Sequence, residues 1–226
     1  MYAVLVNAVA IMVGACLGLV FKNLMTERLA KSIEIALGVC TFALGIKMAL
    51  KYENVLIMIL CVVVGGVLGT VLKIEENCEK FAVNLQRRFS GPTESRFAKA
   101  FTMASILYCT GAYAIVGSIN AGVLGDFEIL YTKSLMDGIF AISFSAVYGI
   151  GVAMAAIPVF IYQGSITLFA SHLKILTMPQ IINEISGVGG VLLVMIGINI
   201  TGLKKIPVGD YLPALLLVMI IAPLIY

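Results

Sequence analysis

One ionisable residue lies deep inside an apolar stretch of the sequence. Asp137 shares one face of a predicted helix with Ser134, Ser145 and Tyr148, at successive spacings of three, eight and three residues. Because an ionisable group at membrane depth is costly and often marks an ion or solute pathway, Asp137 is the first candidate for function. Two structural interpretations compete. Ser134 and Asp137 have capping-box spacing at a helix start, and Lys133 could pair with Asp137 across one turn.

A second group of polar residues interrupts a later apolar stretch. Tyr162, Gln163 and Ser165 surround Gly164, which would let the helix backbone open or another helix approach closely. The Gln163 amide offers two donors and an acceptor, which suits a dipolar solute. Polar side chains in membrane helices also bond neighbouring helices, so a structural role stays open here and for two isolated asparagines. The predicted solute-binding residues are Asn7, Asp137, Tyr162, Gln163, Ser165 and Asn199.

The sequence offers little to support catalysis or metal binding. His172 is the only histidine, the five cysteines include no Cys-x-x-Cys pair, and no Walker A pattern occurs. Zinc sites need such ligands, and P-loop ATP hydrolysis needs that glycine-rich pattern. A net charge of +3 does not indicate a basic surface for nucleic acid. We expect no enzyme activity, no metal, no cofactor and no nucleic-acid partner.

The elements that position these residues are predicted to be membrane helices. Hydrophobic residues make up 61% of the 226 residues, charged residues 12%, and the mean hydropathy is +1.08. About 20 helical residues cross the hydrocarbon core of a bilayer, and apolar runs of about that length recur along the chain. We therefore predict a single all-α integral membrane domain over residues 1–226. The eight predicted spans are residues 3–21, 33–50, 55–72, 99–117, 134–150, 152–170, 185–203 and 207–225.

The number of spans depends on residues 134–170. This stretch is too long for one span and short for two, and Gly149 and Gly151 offer a turn within it. A single bent helix, or a helix with a re-entrant segment, would reduce the count to seven. Eight spans place most of the Lys and Arg residues in the loops of one side, which the positive-inside rule assigns to the cytoplasm. Both termini are then outside a bacterial inner membrane.

The largest soluble segment is predicted to be a cytoplasmic amphipathic helix within residues 74–96. Apolar residues recur there at helical spacing, with charged residues between them, and Gly91-Pro92 ends the pattern. An interfacial helix on the inner leaflet is the simpler interpretation, and a regulatory or partner-binding helix is the alternative.

Spans 2 and 7 resemble each other. Residues 37–50 and 189–202 align so that Gly38 falls on Gly190 and Gly45 on Gly197. With eight spans these two run in opposite directions, so spans 1–3 and 6–8 would form an inverted repeat. Such repeats are typical of secondary transporters, which bind solute where the repeats meet. Chance similarity between two apolar stretches is the alternative.

Four longer motifs resemble a known family. They are VNAVAIMVG near the start, LYTKSLMDG at residues 130–138, IPVFIYQGSIT at 157–167 and KKIPVGDYLPALL at 204–216. In these motifs the chain resembles the YqgA/YdfK family of bacterial inner-membrane proteins, domain of unknown function 554. The resemblance spans essentially the whole chain, although Asp210 departs from the Asn expected there in many members. It implies a helical membrane protein and carries no activity.

These observations favour a secondary transporter for a small neutral, zwitterionic or monovalent solute. The lipid bilayer and that solute are the expected partners. An ion or solute channel is the first alternative, and a membrane scaffold or sensor acting through residues 74–96 is the second. Small-residue pairs such as Gly65 and Gly69 fit packing within one chain or between subunits, so a homo-oligomer stays open.

The loop charges predict which side of the membrane Cys78 faces. A membrane-impermeant thiol reagent should miss Cys78 in intact cells and label it in inside-out vesicles, because residues 74–96 are predicted to be cytoplasmic. A Cys78→Ser variant identifies the signal. Labelling of Cys78 in intact cells would reverse the orientation.

Overall fold

The computed structural model describes residues 1–22, 26–89, 95–109 and 112–226. These residues form helices and connecting turns, with no strand among them, which confirms the all-α prediction. The α-helices are α1 Tyr2–Lys22, α2 Glu27–Ala49, α3 Val55–Val71, α4 Ile74–Phe89, α5 Ser95–Cys109, α6 Ala112–Val123, α7 Glu128–Tyr148, α8 Gly151–Met154, α9 Ala156–Leu168, α10 Ala170–Leu173, α11 Pro179–Thr201 and α12 Leu212–Ile225. Two 3₁₀ turns, Lys174–Thr177 and Val208–Tyr211, precede α11 and α12.

Five helical segments in the described part of the chain are long and apolar enough to cross a membrane. They are Tyr2–Phe21, Arg28–Ala49, Gly151–Leu168, Pro179–Thr201 and Val208–Ile225. A sixth follows if α5 and α6, which meet at a bend of 58°, count as one broken span. Length and hydropathy therefore support a membrane protein with five or six such segments, and they do not confirm the predicted eight.

Two predicted spans differ from the others for physical reasons. The apolar helix α3 has 17 residues, fewer than the other candidates. Helix α7 has 21 residues and carries Glu128, Lys133 and Asp137, which lower its hydropathy. Charged residues in a membrane helix need partners within the protein, so the contacts of α7 matter more than its composition.

Helices α1 and α7 pack in parallel at close distance. A Cβ atom at Gly14 would meet the carbonyl oxygen of Gly138, and the Ser145 hydroxyl donates to the carbonyl oxygen of Ala15 at 2.7 Å. Contacts advance together along both helices, since Gly18 lies against Ile142, one turn beyond Gly138. Glycines at these positions let the two backbones approach closely, as small residues do in membrane helix pairs.

Helices α2 and α11 pack in antiparallel directions with matching contacts. Both have 23 residues, and their first and last residues are each separated by 152 positions. A Cβ atom at Gly45 would lie 2.6 Å from the amide nitrogen of Val194, and one at Gly197 would lie 2.6 Å from that of Phe42. Gly45 and Gly197 are also 152 residues apart, as are Phe42 and Val194, so the two helices contact each other through equivalent positions.

The amphipathic helix α4 is fixed to the start of α12. The Glu75 amide donates to Asp210 Oδ1 at 2.9 Å, and the Gly209 amide donates to Glu75 Oε2 at 2.6 Å. Two carboxylates thus each accept from a backbone amide of the other segment, as in a capping interaction. Antiparallel α3 completes this region, because Gly65 lies against Ala214 and Gly69 lies against Asp210.

The α2–α11 contact predicts which glycine tolerates a methyl group. Gly45→Ala should lower the free energy of unfolding by about 1–3 kcal/mol, because the added Cβ meets the α11 backbone. Gly164→Ala is the matched control, since its Cβ would meet Met1 Cε at 3.5 Å, which is an ordinary contact distance. Thermal unfolding in detergent measures both. Equal losses would show that the α2–α11 contact is looser than described.

Candidate functional site

Four polar side chains from three helices form one connected cluster, named here the polar centre. Asn7 comes from α1, Lys133 and Asp137 from α7, and Gln163 from α9. Asn7 and Gln163 are fully buried, while Asp137 and Lys133 are 5% and 6% exposed. Burying such polar groups costs free energy unless they bond each other, so the packing of the three helices must bring them together.

The bonds of the polar centre run in one line from Lys133 to Gln163. Lys133 Nζ lies 2.8 Å from Asp137 Oδ1 and 2.6 Å from Oδ2. Asn7 Nδ2 donates to Asp137 Oδ2 at 3.1 Å and to Gln163 Oε1 at 3.0 Å. The single amide group of Asn7 therefore links the ion pair to the glutamine.

Local sequence places each member of the line. Lys133 and Asp137 are four residues apart, so they lie on one face of α7. The close approach of Gly14 to Gly138 brings α1 near enough for Asn7 to reach Asp137. The ion pair keeps its two opposite charges within hydrogen-bonding distance, which a charged group in a desolvated site requires.

Two atoms of the polar centre have no hydrogen-bond partner among the described residues. They are Asn7 Oδ1, an acceptor, and Gln163 Nε2, a donor. The buried hydroxyls of Tyr108 on α5 and Tyr162 on α9 also have none there. Because a buried polar atom without a partner is costly, most such atoms in proteins are bonded. An unpartnered donor and acceptor at one site mark where a ligand with complementary groups could bind.

An apolar cleft of about 570 Å³ lies between α4, α5, α9 and α12. Cys78 of α4, Ser105 and Cys109 of α5, and Tyr162 of α9 lie along it. Tyr162 directly precedes Gln163 in sequence, but none of the four members of the polar centre lines the cleft.

The chain matches known sequences over almost its full length. The model of a family described as a protein of unknown function (DUF554) matches residues 2–223. The chain belongs to this family. It is 32% identical to the "Uncharacterized membrane protein YdfK" of Bacillus subtilis (strain 168) over 221 residues, 96% of this chain and 93% of the relative. It is 31% identical to the "Uncharacterized protein YqgA" of Escherichia coli (strain K12) over 218 residues, 95% of this chain and 93% of the relative.

No solved structure matches the sequence of this DUF554 member. The family match confirms the resemblance found in the motifs, and the name of the Bacillus relative agrees with the apolar helices in describing a membrane protein.

Three of the predicted site residues come together in this family member. Asn7, Asp137 and Gln163 meet in the polar centre. The capping-box interpretation of Ser134 and Asp137 was wrong, because α7 begins at Glu128, more than two turns before Asp137. Ser134 instead donates to the carbonyl oxygen of Leu130 at 2.7 Å. The predicted pairing of Asp137 with Lys133 does occur, and it occurs inside the site.

The other three predicted residues do not join the polar centre. Ser165 is exposed and donates to the carbonyl oxygen of Ile161 at 2.7 Å. Tyr162 lines the apolar cleft. Asn199 lies near the end of α11, where Nδ2 donates to the Ile206 carbonyl at 2.8 Å and Oδ1 accepts from the Ile206 amide at 2.7 Å.

The predicted opening of the backbone at Gly164 was also wrong. Helix α9 is continuous from Ala156 to Leu168, and its C-cap is Phe169. Gly164 instead faces the first residue of the chain, since a Cβ there would lie 3.5 Å from Met1 Cε. Helix interruptions near this segment lie at Gly149, with φ of 87°, and at Ala155 and Phe169 on either side of α9.

One further buried carboxylate lies outside the polar centre. Glu184 is fully buried on α11. Its Oε1 accepts from the Asn54 amide at 2.7 Å and from the Tyr226 hydroxyl at 3.0 Å. It holds the start of α3 and the end of α12 together. Hydropathy alone gives no signal for these contacts, because both partners are distant in sequence.

Metal binding has no structural support in the described ranges. They contain no group of three or more His, Cys, Asp or Glu side chains placed to hold a metal ion.

The line of bonds predicts a specific loss of stability. Asn7→Ala should lower the free energy of unfolding by about 1–3 kcal/mol, because Asp137 and Gln163 each lose the donor that Asn7 supplies. Ser165→Ala should change it by less than about 0.5 kcal/mol, because that side chain is exposed and bonds only its own helix. Thermal unfolding of purified protein in detergent compares the two. A small loss for Asn7→Ala would indicate that the line is not formed.

Proposed function

We propose that this protein is a secondary transporter that moves a small solute across the bacterial inner membrane. The polar centre is the observation that most supports this proposal. Three helices contribute buried polar groups that bond one another, and two atoms of the polar centre have no hydrogen-bond partner among the described residues. Intramembrane ionisable residues commonly mark solute or proton pathways. The polar centre binds the solute, and no covalent chemistry is assigned to it.

The packing directions support eight crossings. Because α1 and α7 are parallel, the chain reverses its direction across the membrane an even number of times between them. This requires α5 and α6 together to cross the membrane once. Because α2 and α11 are antiparallel, the number of reversals between them is odd, which requires α8 and α9 together to cross the membrane after α7. In this arrangement both termini lie on one side, and the basic loops place that side outside.

The matching contacts of α2 and α11 support an inverted repeat. A twofold axis in the membrane plane relates two antiparallel helices so that each presents the same positions to the other. The 152-residue offset does this for Gly45 and Gly197, and for Gly38 against Thr201 and Gly190 against Ala49. The same offset maps the residues of α3 onto the region of α12. Such repeats are a recurring architecture of secondary transporters.

The alternatives fit the site less well. A channel needs an open polar path, whereas the side chains of the polar centre are buried and bonded to one another. A sensor acting through α4 needs that helix to move freely, whereas Glu75 ties it to Gly209 and Asp210. The many apolar side chains exposed on α1, α2 and α3 fit contact with lipid. Contact with a second copy stays a prediction.

Asp137 is the group proposed to exchange a proton as solute binds, and hydrogen-bond acceptors of the bound solute stabilise the Lys133 ammonium while Asp137 is protonated. Asp137→Asn should abolish the pH dependence of solute binding or uptake, because it removes the titrating carboxylate. Gln163→Ala should weaken binding about tenfold without changing that pH dependence, because it removes a neutral hydrogen-bonding group. Purified protein in proteoliposomes, tested with a panel of small labelled solutes between pH 5 and 8, measures both. Ser165→Ala serves as the control and should retain the wild-type response.

Two outcomes would contradict this assignment. One is an unchanged pH dependence in Asp137→Asn. The other is a panel of solutes that neither enters proteoliposomes nor raises the melting temperature of the wild-type protein.

A further inference from the structure

The two charges of the polar centre cancel. Lys133 and Asp137 bond each other at 2.6 and 2.8 Å, and the other two members of the line, Asn7 and Gln163, are neutral amides. The Tyr108 hydroxyl and the Cys109 thiol of α5 are titratable neighbours of Asp137. The site as a whole therefore has one positive charge, one negative charge and no net charge.

We propose that Lys133 is a specificity-determining residue that makes the polar centre select solutes of zero net charge. The inference rests on the proposed function and narrows its solute class, since monovalent cations and anions are now rejected. The accepted solute carries at least one hydrogen-bond donor and one acceptor. Zwitterions with an ammonium and a carboxylate group, and uncharged amides, both have this chemistry.

The unpartnered atoms define what the solute supplies. Asn7 Oδ1 accepts, so the solute brings a donor, and Gln163 Nε2 donates, so the solute brings an acceptor. A zwitterion can in addition direct its ammonium group to Asp137 and its carboxylate group to Lys133. A solute with one kind of group leaves one of the two amide atoms without a partner, which weakens its binding.

Charge balance explains the rejection of ions. A monovalent cation that bound Asp137 would leave the Lys133 ammonium buried without its counterion, and an anion that bound Lys133 would do the same to Asp137. Breaking a buried ion pair by removing one partner is strongly destabilising. A net-charged solute is therefore expected to bind at least about 100-fold more weakly than a neutral solute with the same hydrogen-bonding groups.

The same pair could instead be a sealed structural bridge. A sealed bridge would be expected to have its neighbouring polar atoms bonded as well, as the amide of Asn199 is by Ile206. At the polar centre both neighbouring amides retain one buried atom without a partner in the described residues. Glu184 Oε2 is likewise without a partner in the described residues, and what distinguishes the polar centre is an unpartnered acceptor and an unpartnered donor on two side chains that bond each other. This combination favours a site that exchanges partners with a ligand.

The test is a set of charge variants of the pair. Lys133→Gln leaves a single negative charge, Asp137→Asn leaves a single positive charge, and the double variant Lys133→Gln/Asp137→Asn restores neutrality. Exchanging the two residues, Lys133→Asp/Asp137→Lys, retains the pair in reversed order. The melting temperature of each purified protein is measured with propylammonium, propionate, propionamide or L-alanine as probe, at constant ionic strength and pH.

Opposite ion responses are expected from the single variants. Propylammonium should stabilise Lys133→Gln and propionate should stabilise Asp137→Asn, while neither ion stabilises the wild type, the double variant or the exchanged pair. A single variant that folds only in the presence of its counterion gives the expected result. Single variants that fail to fold in both ions, or that show no opposite response, would overturn the inference, as would stabilisation of the wild type by either ion.

The neutral probes separate this inference from the proposed function. Stabilisation of the wild type by L-alanine or propionamide supports both. Opposite ion responses without any uptake of neutral solutes into proteoliposomes would leave the charge selectivity of the site standing and count against transport.

Discussion

Close contact between helix backbones is the constraint on which the rest of this structure depends. Lipid tails are as apolar as leucine side chains, so membrane helices gain little from hydrophobic contact and associate through close packing and hydrogen bonds. Glycines at the contacts of α1 with α7, α2 with α11 and α3 with α12 permit such packing. The contact of Gly14 with Gly138 also bears on the proposed function, because it sets the distance across which Asn7 reaches Asp137.

Close packing stabilises the bonds of the polar centre and underlies its proposed selectivity. With water excluded, the attraction between Lys133 and Asp137 is strong, and an isolated charge there would be costly. The Asn7 amide passes this constraint to α9, because it bonds Asp137 and Gln163 with the same nitrogen. A movement of α9 against α1 therefore alters the environment of the ion pair, which is the kind of coupling between helices that alternating access needs.

The sequence predicted the positions of apolar helices better than it predicted which face of each helix contacts the rest of the protein. The predicted span 55–72 is close to α3 at Val55–Val71, because hydropathy reports where a chain can enter lipid. Hydropathy does not report which face of a uniformly apolar helix meets protein. Helical geometry offered one unused signal: Gln163 and Ser165 are two residues apart and lie on nearly opposite faces of α9, so both could not line one site. Lys133 was weighed as a competing structural partner of Asp137, although a residue can hold a charge in place and also shape a site.

The strongest support for the proposed function is that side-chain amides differ in how completely they are hydrogen-bonded. Asn199 and Asn7 are both amides on apolar helices. Asn199 bonds Ile206 through both the nitrogen and the oxygen of its side chain. Asn7 donates two hydrogen bonds from its nitrogen, and its side-chain oxygen has no partner among the described residues. Proteins break local rules mainly at functional sites and stabilise them elsewhere. The fully bonded amide has a structural explanation that is complete, and the incompletely bonded amides of Asn7 and Gln163 need a further partner. In the proposed site, the neutral ion pair beside them selects a partner without net charge.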